Sequence, residues 1–298
     1  MPELPDVTIY VEALRKRIVG ERLRSATVRS PFLLRSTTPP LASGFGRRVV
    51  EVTRLAKRIG IALEGDLWLV LHLMIAGRLH WSLAAPKRGG RNLLALFEFD
   101  HGWLTLTEAG TRRRAALWIV PAGELAGLRG DALEPLTASL AQFVDRLRAA
   151  NHTLKRALTD PHIISGIGNA YSDEILFRAR LSPVAMTRKL SEGEIERLYQ
   201  ATRDTLSEWI ARLRAETGDA FPEHVTAFRP AMAVHGRYRA PCPVCGSPIQ
   251  RIRHADNETN YCATCQTAGR LLADRALSRL LHQDWPRTLD ELEARRRP

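Results

Sequence analysis

The sequence predicts an α+β protein, and three observations carry the prediction. Short strand-like runs fill residues 22–121 with no helical pattern between them. A 3.6-residue periodicity takes over beyond about 131, and all four cysteines fall between 242 and 265. Short strands without crossover helices point to a β-sandwich or barrel, followed here by a helical part and a small cysteine-bearing hairpin.

The elements follow in order. Val7, Tyr10, Val11, Leu14 and Ile18 lie at helical spacing, which predicts a helix over 6–19 with Asp6 as its cap and Gly20 as its stop. The runs RLRSATV, RRVVEVTRL, RIGIALE, LWLVLHLM, NLLALFEF, WLTLTEAG and ALWIV are predicted strands, separated by Gly, Pro, Asp and basic turns. LTASLAQFVDRLRAA, TLKRALTD, NAYSDEILFRARL and EGEIERLYQATRDTLSEWIARLRAE are predicted helices. The expected domains are 1–130 (β-sandwich), 131–235 (helical), 236–270 (cysteine hairpin) and 271–298 (C-terminal extension). In that extension Leu271, Leu272, Ala276, Leu280 and Leu281 form an apolar stripe suited to packing on the body.

Composition narrows the function classes. The 298 residues are 45% hydrophobic, and 44 Lys plus Arg against 32 Asp plus Glu leave a net charge of +12. A packed globular protein with this excess favours a polyanionic partner, nucleic acid first and an anionic membrane surface second. The most apolar run, LWLVLHLMIAG at 67–77, is short and holds His72, so it does not suit a spanning helix. Charges throughout the first twenty residues interrupt any signal-peptide core, and a cytoplasmic location is expected.

Cys242, Cys245, Cys262 and Cys265 are spaced C-x2-C-x16-C-x2-C. Two thiolate knuckles around a hairpin-length segment suit one tetrahedral zinc, with no position left for a catalytic water. Disulfides are the alternative, but a reducing compartment and pairs three residues apart argue for metal. Between the knuckles two strands are expected, and their Arg251, Arg253 and His254 either face phosphates or form a solvated strand face. Gly166-Ile167-Gly168 runs into a helix with Asn169 as its expected N-cap, a turn whose free N–H groups suit a phosphate. At the other end, MPELPDV supplies a candidate nucleophile. Once Met1 is removed, Pro2 presents a secondary amine beside the Glu3 carboxyl.

MPELPDV, Lys57 in LAKRIGIAL, LHLMIAGRL, SGIGNAYSDEILF and the terminal CPVC with YCATCQ stand in one order from residue 2 to about 266. Together they resemble the formamidopyrimidine-DNA glycosylase and endonuclease VIII family. The resemblance implies a sandwich domain, a helix–two-turn–helix domain and a zinc-finger hairpin, with DNA held in the cleft between domains. It implies a base-excision glycosylase that also cleaves abasic sites, acting on duplex DNA with a damaged, oxidised base, as a monomer and with one structural zinc. Pro2 would be the Schiff-base nucleophile, Glu3 the proton carrier and Lys57 a phosphate ligand. Asn169 and Lys155 would contact the DNA backbone. The gap left by a flipped base would be filled by Met74 or Ile75 and by Arg112, Arg113 and Arg114.

Three departures from the family pattern stand out. Met74-Ile75 stands in place of the usual Gly-Met pair, the phenylalanine that follows the family's paired arginines is missing at 112–114, and Asn257 stands where the finger arginine is expected. The segment 218–238 is also short for a loop that covers an oxidised purine. A non-enzymatic binder of damaged or structured DNA on the same scaffold is the competing reading. A zinc-ribbon transcription factor would explain the cysteines and the charge but not the N-terminus or Lys57.

Overall fold

The structure is a computed structural model and describes residues 1–86, 90–110, 112–223, 225–226, 228–254, 257–272 and 286–294. The chain divides into two compact units, Met1–Asp131 with Glu208–Ala227, and Ala132–Ser207 with Phe228–Pro298.

The first unit is an N-terminal helix and a β-sandwich. Helix α1 spans Leu4–Ile18, two residues earlier than the apolar spacing suggests, because its cap is Glu3 and not Asp6. Glu3 and Asp6 form a reciprocal capping box in which the Glu3 N–H donates to Asp6 Oδ2 at 3.0 Å. The strands are β1 (Leu23–Val28), β2 (Val49–Leu55), β3 (Arg58–Leu63), β4 (Leu67–His72), β5 (Gly77–Ser82), β6 (Leu93–Phe99), β7 (Gly102–Glu108) and β8 (Ala116–Pro121). They form two antiparallel sheets, ordered β1-β6-β7-β5 and β2-β3-β4-β8. Strand β5 is not among the strands that the sequence predicts. Its apolar Leu79 and Trp81 alternate with polar neighbours, but LHLMIAGRL looks like one continuous run until the chain turns between sheets at 73–76. The core between the sheets draws Val7, Tyr10, Leu14 and Ile18 from α1, joined by Leu69, Leu71, Phe97, Leu104, Leu106 and Leu117.

The second unit is helical and carries the hairpin. After a short α2 (Leu125–Arg129) in the first unit, α3 (Leu140–Arg148), α4 (Leu154–Thr159), α5 (Asn169–Arg178) and the long α6 (Glu192–Thr217) follow, the chain returning to the first unit at Glu208. The α4–α5 connection makes two tight turns, with Asp160 O accepting from Ile163 and Ile164 N–H and Gly166 at φ +79°. That φ favours glycine, and the cap of α5 is Gly168, which makes Asn169 the first helical residue and not the cap. Strands β9 (Gln250–His254) and β10 (Asn257–Tyr261) pair antiparallel, and α7 (Ala263–Thr267) follows. Leu271 and Leu272 pack with Tyr261, Ala263 and Ile252, together with Leu289 and Leu292 of α8 (Leu289–Ala294). The expected stripe members Ala276, Leu280 and Leu281 lie outside the described residues.

Candidate nucleic-acid interface and amine site

Sheet register gathers the first unit's predicted residues at one rim. Arg58 pairs with His72 and His72 with Ala116, so one row crosses β3, β4 and β8. Lys57, in the β2–β3 turn beside Ala56 at φ +55°, stands at the end of that row. The chain leaves His72 for the other sheet through residues 73–76, and it returns from Glu108 to Ala116 through 109–115. Across the other sheet Gly77 pairs with Glu108. Two crossover loops, one with Met74 and Ile75 and the other with Arg112–Arg114, therefore run between the same two rungs.

The first crossover loop closes on itself through a bond from Gly77 N–H to Leu73 O at 2.9 Å. A side chain at 77 could not fit, because an added Cβ would lie 2.2 Å from that oxygen. Met74 holds a left-handed φ of +51° where the family pattern has glycine. Ile75 is 57% exposed at the tip, an unusual position for a large aliphatic side chain on a short loop. Arg112, Arg113 and Arg114 are all exposed, and an Arg113 guanidinium N–H donates to Arg91 O.

The chain terminus faces the same charged groups. Pro2 and Glu3 are buried and Met1 is half-buried. Burial lowers the Met1 ammonium below its usual value, Glu3 and Asp6 oppose that shift, and Arg78 and Lys57 reinforce it. Lys57 is itself lowered by burial, with Glu3 pulling it back. A terminal amine, a carboxylate and two cations thus share one electrostatic neighbourhood. His72, which in sequence only breaks an apolar run, belongs to it. Burial first, then Arg58 and Lys57, push its imidazole down to about 4, and its Nδ1 is buried without a hydrogen-bond partner. A lone histidine ending an apolar strand was the available signal.

In the second unit the predicted contacts are engaged within the protein. Lys155 Nζ donates to Asn169 O (2.7 Å), Ser172 Oγ (2.8 Å) and Asp173 Oδ1 (2.5 Å), which uses all three donors of an ammonium. Asp173 is fully buried, and its other oxygen accepts from His235 Nδ1 at 2.8 Å and Asn260 N–H at 3.1 Å. Glu174 receives the N–H groups of Ala233, Val234 and His235 at 2.7–2.9 Å, although burial pushes its carboxyl up. These two acids of α5, which no sequence pattern singles out, tie the base of the hairpin to the helix. The Asn169 amide donates to Glu258 O at 2.8 Å. Arg251 lies 4.0 Å from the Tyr238 ring centroid and 3.1 Å from Glu258 Oε2, which Arg253 approaches at 3.7 Å. Asn257 opens β10, and its side chain lies outside the described residues.

The four thiols fit zinc. All four Sγ atoms lie within 4.8 Å of one another, with Cys242–Cys265 at 3.9 Å and Cys245–Cys262 at 3.5 Å. Tetrahedral zinc with Zn–S bonds of about 2.3 Å spaces its sulfurs by about 3.8 Å, close to these values and far beyond an S–S bond. Backbone N–H groups of Val244 and Cys265 point at Cys242 and Cys262 Sγ, each at 3.5 Å. Without a cation, burial and then the neighbouring thiols hold Cys265 up at about 11, a cost that a divalent ion removes. With four protein ligands the ion is structural.

Three family models match. The formamidopyrimidine-DNA glycosylase N-terminal domain covers residues 1–117, the formamidopyrimidine-DNA glycosylase H2TH domain 132–219, and the zinc finger found in FPG and IleRS 240–268. A formamidopyrimidine-DNA glycosylase of Thermus thermophilus is 35% identical over 278 residues, spanning 90% of this chain and 100% of the relative. The crystal structure of the MutM (Fpg) protein from Thermus thermophilus superposes with a TM-score of 0.74 at 34% identity, covering 89% of this chain and 98% of that one. A complex between the Lactococcus lactis Fpg and abasic-site DNA shares the fold at a TM-score of 0.78 and 24% identity, over 89% of this chain and 99% of that one.

Fold and finger are those of a DNA base-excision enzyme. The chain belongs to the formamidopyrimidine-DNA glycosylase family. It is a DNA glycosylase and abasic-site lyase, and the non-enzymatic reading is not favoured. No helix among the described residues is long and apolar enough to cross a membrane.

Proposed function

We propose that the chain, after loss of Met1, excises an oxidised base from duplex DNA through the Pro2 amine and then cuts the strand at the resulting abasic sugar. The observation that carries this reading is the convergence of terminus, Glu3, Lys57 and Arg78. A secondary amine flanked by cations and burial favours its neutral, nucleophilic form, as does the positive end of α1. Its lone pair attacks the anomeric carbon, the bond to the base breaks, and the base leaves with a proton. The product is an iminium joining Pro2 to the opened sugar. Glu3 protonates the ring oxygen as it opens, and later moves the proton whose removal from the sugar expels the 3′ phosphate. Lys57 holds a phosphate beside the lesion as a compact charge. Met1 blocks all of this while present, because it makes the Pro2 nitrogen an amide.

Ile75 is the wedge, since it stands exposed at the loop tip while Met74 shapes the turn. The 112–114 arginines fill the rest of the gap and contact the opposite strand. Asn169 and the finger meet the backbone from the second unit, and Asn257 brings a hydrogen-bonding group without charge. The protein acts as a monomer in the cytoplasm, on nucleoid DNA. Structures of related proteins hold DNA with a carbocyclic 8-oxo-G and with a Fapy-dG, which makes oxidised purines the first substrates to try.

Borohydride trapping over a panel of damaged duplexes tests the reading. Protein beginning at Pro2 should form a stable adduct with abasic DNA and with at least one oxidised-base duplex, and Pro2→Gly should react poorly. Equal trapping by a form that retains Met1 would sink it.

A further inference from the structure

Glu108 ends β7 with only 1% of its surface exposed, inside a protein whose partner is an anion. A buried carboxylate near three arginines would ordinarily pair with one of them. Here it does something else. Oε1 and Oε2 both accept the backbone N–H of Arg114, at 3.0 and 2.9 Å, and Oε2 also accepts that of Ala115 at 2.9 Å. The residue's own N–H donates to Asn92 O at 2.8 Å, and its rung partner across the sheet is Gly77, which closes the Ile75 loop.

From this geometry we infer that Glu108 is a positioning residue that fixes the arginine loop against the Ile75 loop for duplex DNA. Its lone pairs are occupied by peptide groups at the C-terminal end of the loop, so it clamps the chain at 114–115 without drawing a guanidinium inward. Arg112, Arg113 and Arg114 stay exposed as a result. The clamp matters because this crossover passes through Ala109 and Gly110 on its way to the arginines, with Gly110 at φ +94°. Among its described residues this glycine-bearing segment has no strand ladder to set where the arginines point. The Gly77 rung makes both loops share one anchor, so a shift at Glu108 would misplace the arginines relative to Ile75.

The inference rests on the reading of 112–114 as gap-filling residues, and the experiment separates the two. Lyase rates are measured on an abasic site in duplex DNA, opposite each of the four bases, and on the same site in single-stranded DNA, which has no orphaned base. Glu108→Gln keeps the size but places an amide N–H against one of the backbone donors. Losing a charge-assisted clamp predicts a fall of about tenfold in the duplex to single-strand ratio of kcat/KM, expressed mainly in KM, with discrimination among opposite bases flattened. The triple variant Arg112→Ala, Arg113→Ala, Arg114→Ala should lower the same ratio. If the triple variant lowers it and a folded Glu108→Gln does not, the positioning role is wrong. If the triple variant leaves the ratio unchanged, the gap-filling reading falls and takes the role of Glu108 with it. Hydrogen exchange on the unaltered protein covers the case of a variant that does not fold. Arg114 and Ala115 amides should be protected beside freely exchanging amides at Arg112 and Arg113, and rapid exchange at 114 and 115 would overturn the clamp.

Discussion

The rim of the β-sandwich and the zinc-finger hairpin both carry arginines proposed to meet DNA, but their carboxylates are used in opposite ways. At the rim, Glu108 bonds to backbone N–H groups and the guanidiniums of 112–114 remain exposed. In the hairpin, Glu258 takes the guanidiniums themselves. Arg251 and Arg253 share one of its oxygens, while Asn260 Nδ2 donates to the other at 2.8 Å. Lys155 goes furthest, with every donor of its ammonium turned inward. The chain's net charge of +12 therefore overstates what Lys155, Arg251 and Arg253 offer a phosphate. Charge is available to a ligand only where the protein has not already paired it.

The largest effect that can break this contrast is at Lys155. Removing the ammonium with Lys155→Ala leaves the buried Asp173 with only His235 and one peptide N–H, which should cost about 3–5 kcal/mol in chemical denaturation. Arg112→Ala at the exposed rim should stay within about 0.5 kcal/mol. Were the two variants equally stable, and Lys155→Ala changed only the salt dependence of DNA binding, Lys155 would be a DNA contact after all.

The concentration of charge at the rim should also appear in its response to acid. His72 is held down to about 4 by burial and by Arg58 and Lys57. An unfolded histidine titrates near 6.5, so between these values the unfolded chain takes up the proton first. Stability is then fully present above about 6.5 and falls as the pH drops toward 4, by about 1–2 kcal/mol after allowance for partial exposure. His72→Gln should flatten that segment of the stability curve. An unchanged slope would mean that neither burial nor the rim cations hold this imidazole down.

A smaller effect sharpens the hairpin half. Glu258→Gln should release Arg251 from its ion pair, tighten DNA binding several-fold, about 1 kcal/mol, and steepen the salt slope by about one unit. A loss of affinity instead would show that Glu258 orders the arginines for DNA and does not compete with it.

These differences also explain what the sequence could and could not convey. The zinc site was readable because its ligands are local pairs at fixed spacing. The helices of the second unit were readable because periodicity is a property of a short window. Glu3 was missed as the cap of α1 because Asp6 is the commoner capping residue, and the reciprocal bond that makes it N3 needs the actual turn. Strand β5 was missed because the crossover at 73–76 interrupts no pattern of apolarity. Among the predicted site residues, Lys57, Ile75 and the 112–114 arginines gather through rungs such as His72 with Ala116 and Gly77 with Glu108, which no spacing reveals. Lys155 was expected at the DNA backbone, and nothing local showed otherwise because Asp173, its partner, stands 18 positions on. The role of Glu108 is invisible to side-chain patterns, since its partners are peptide groups.

The central claim is that the N-terminal amine does the chemistry, and mapping the trapped adduct tests it most directly. Protein is reduced with borohydride while bound to abasic duplex, digested, and the peptide carrying the sugar remnant is identified by mass spectrometry. The remnant should sit on the nitrogen of a peptide that begins at Pro2, with none on a peptide that begins at Met1. A remnant on Lys57, or on any other lysine in the native protein, would assign the Schiff base elsewhere and contradict the mechanism proposed for Pro2.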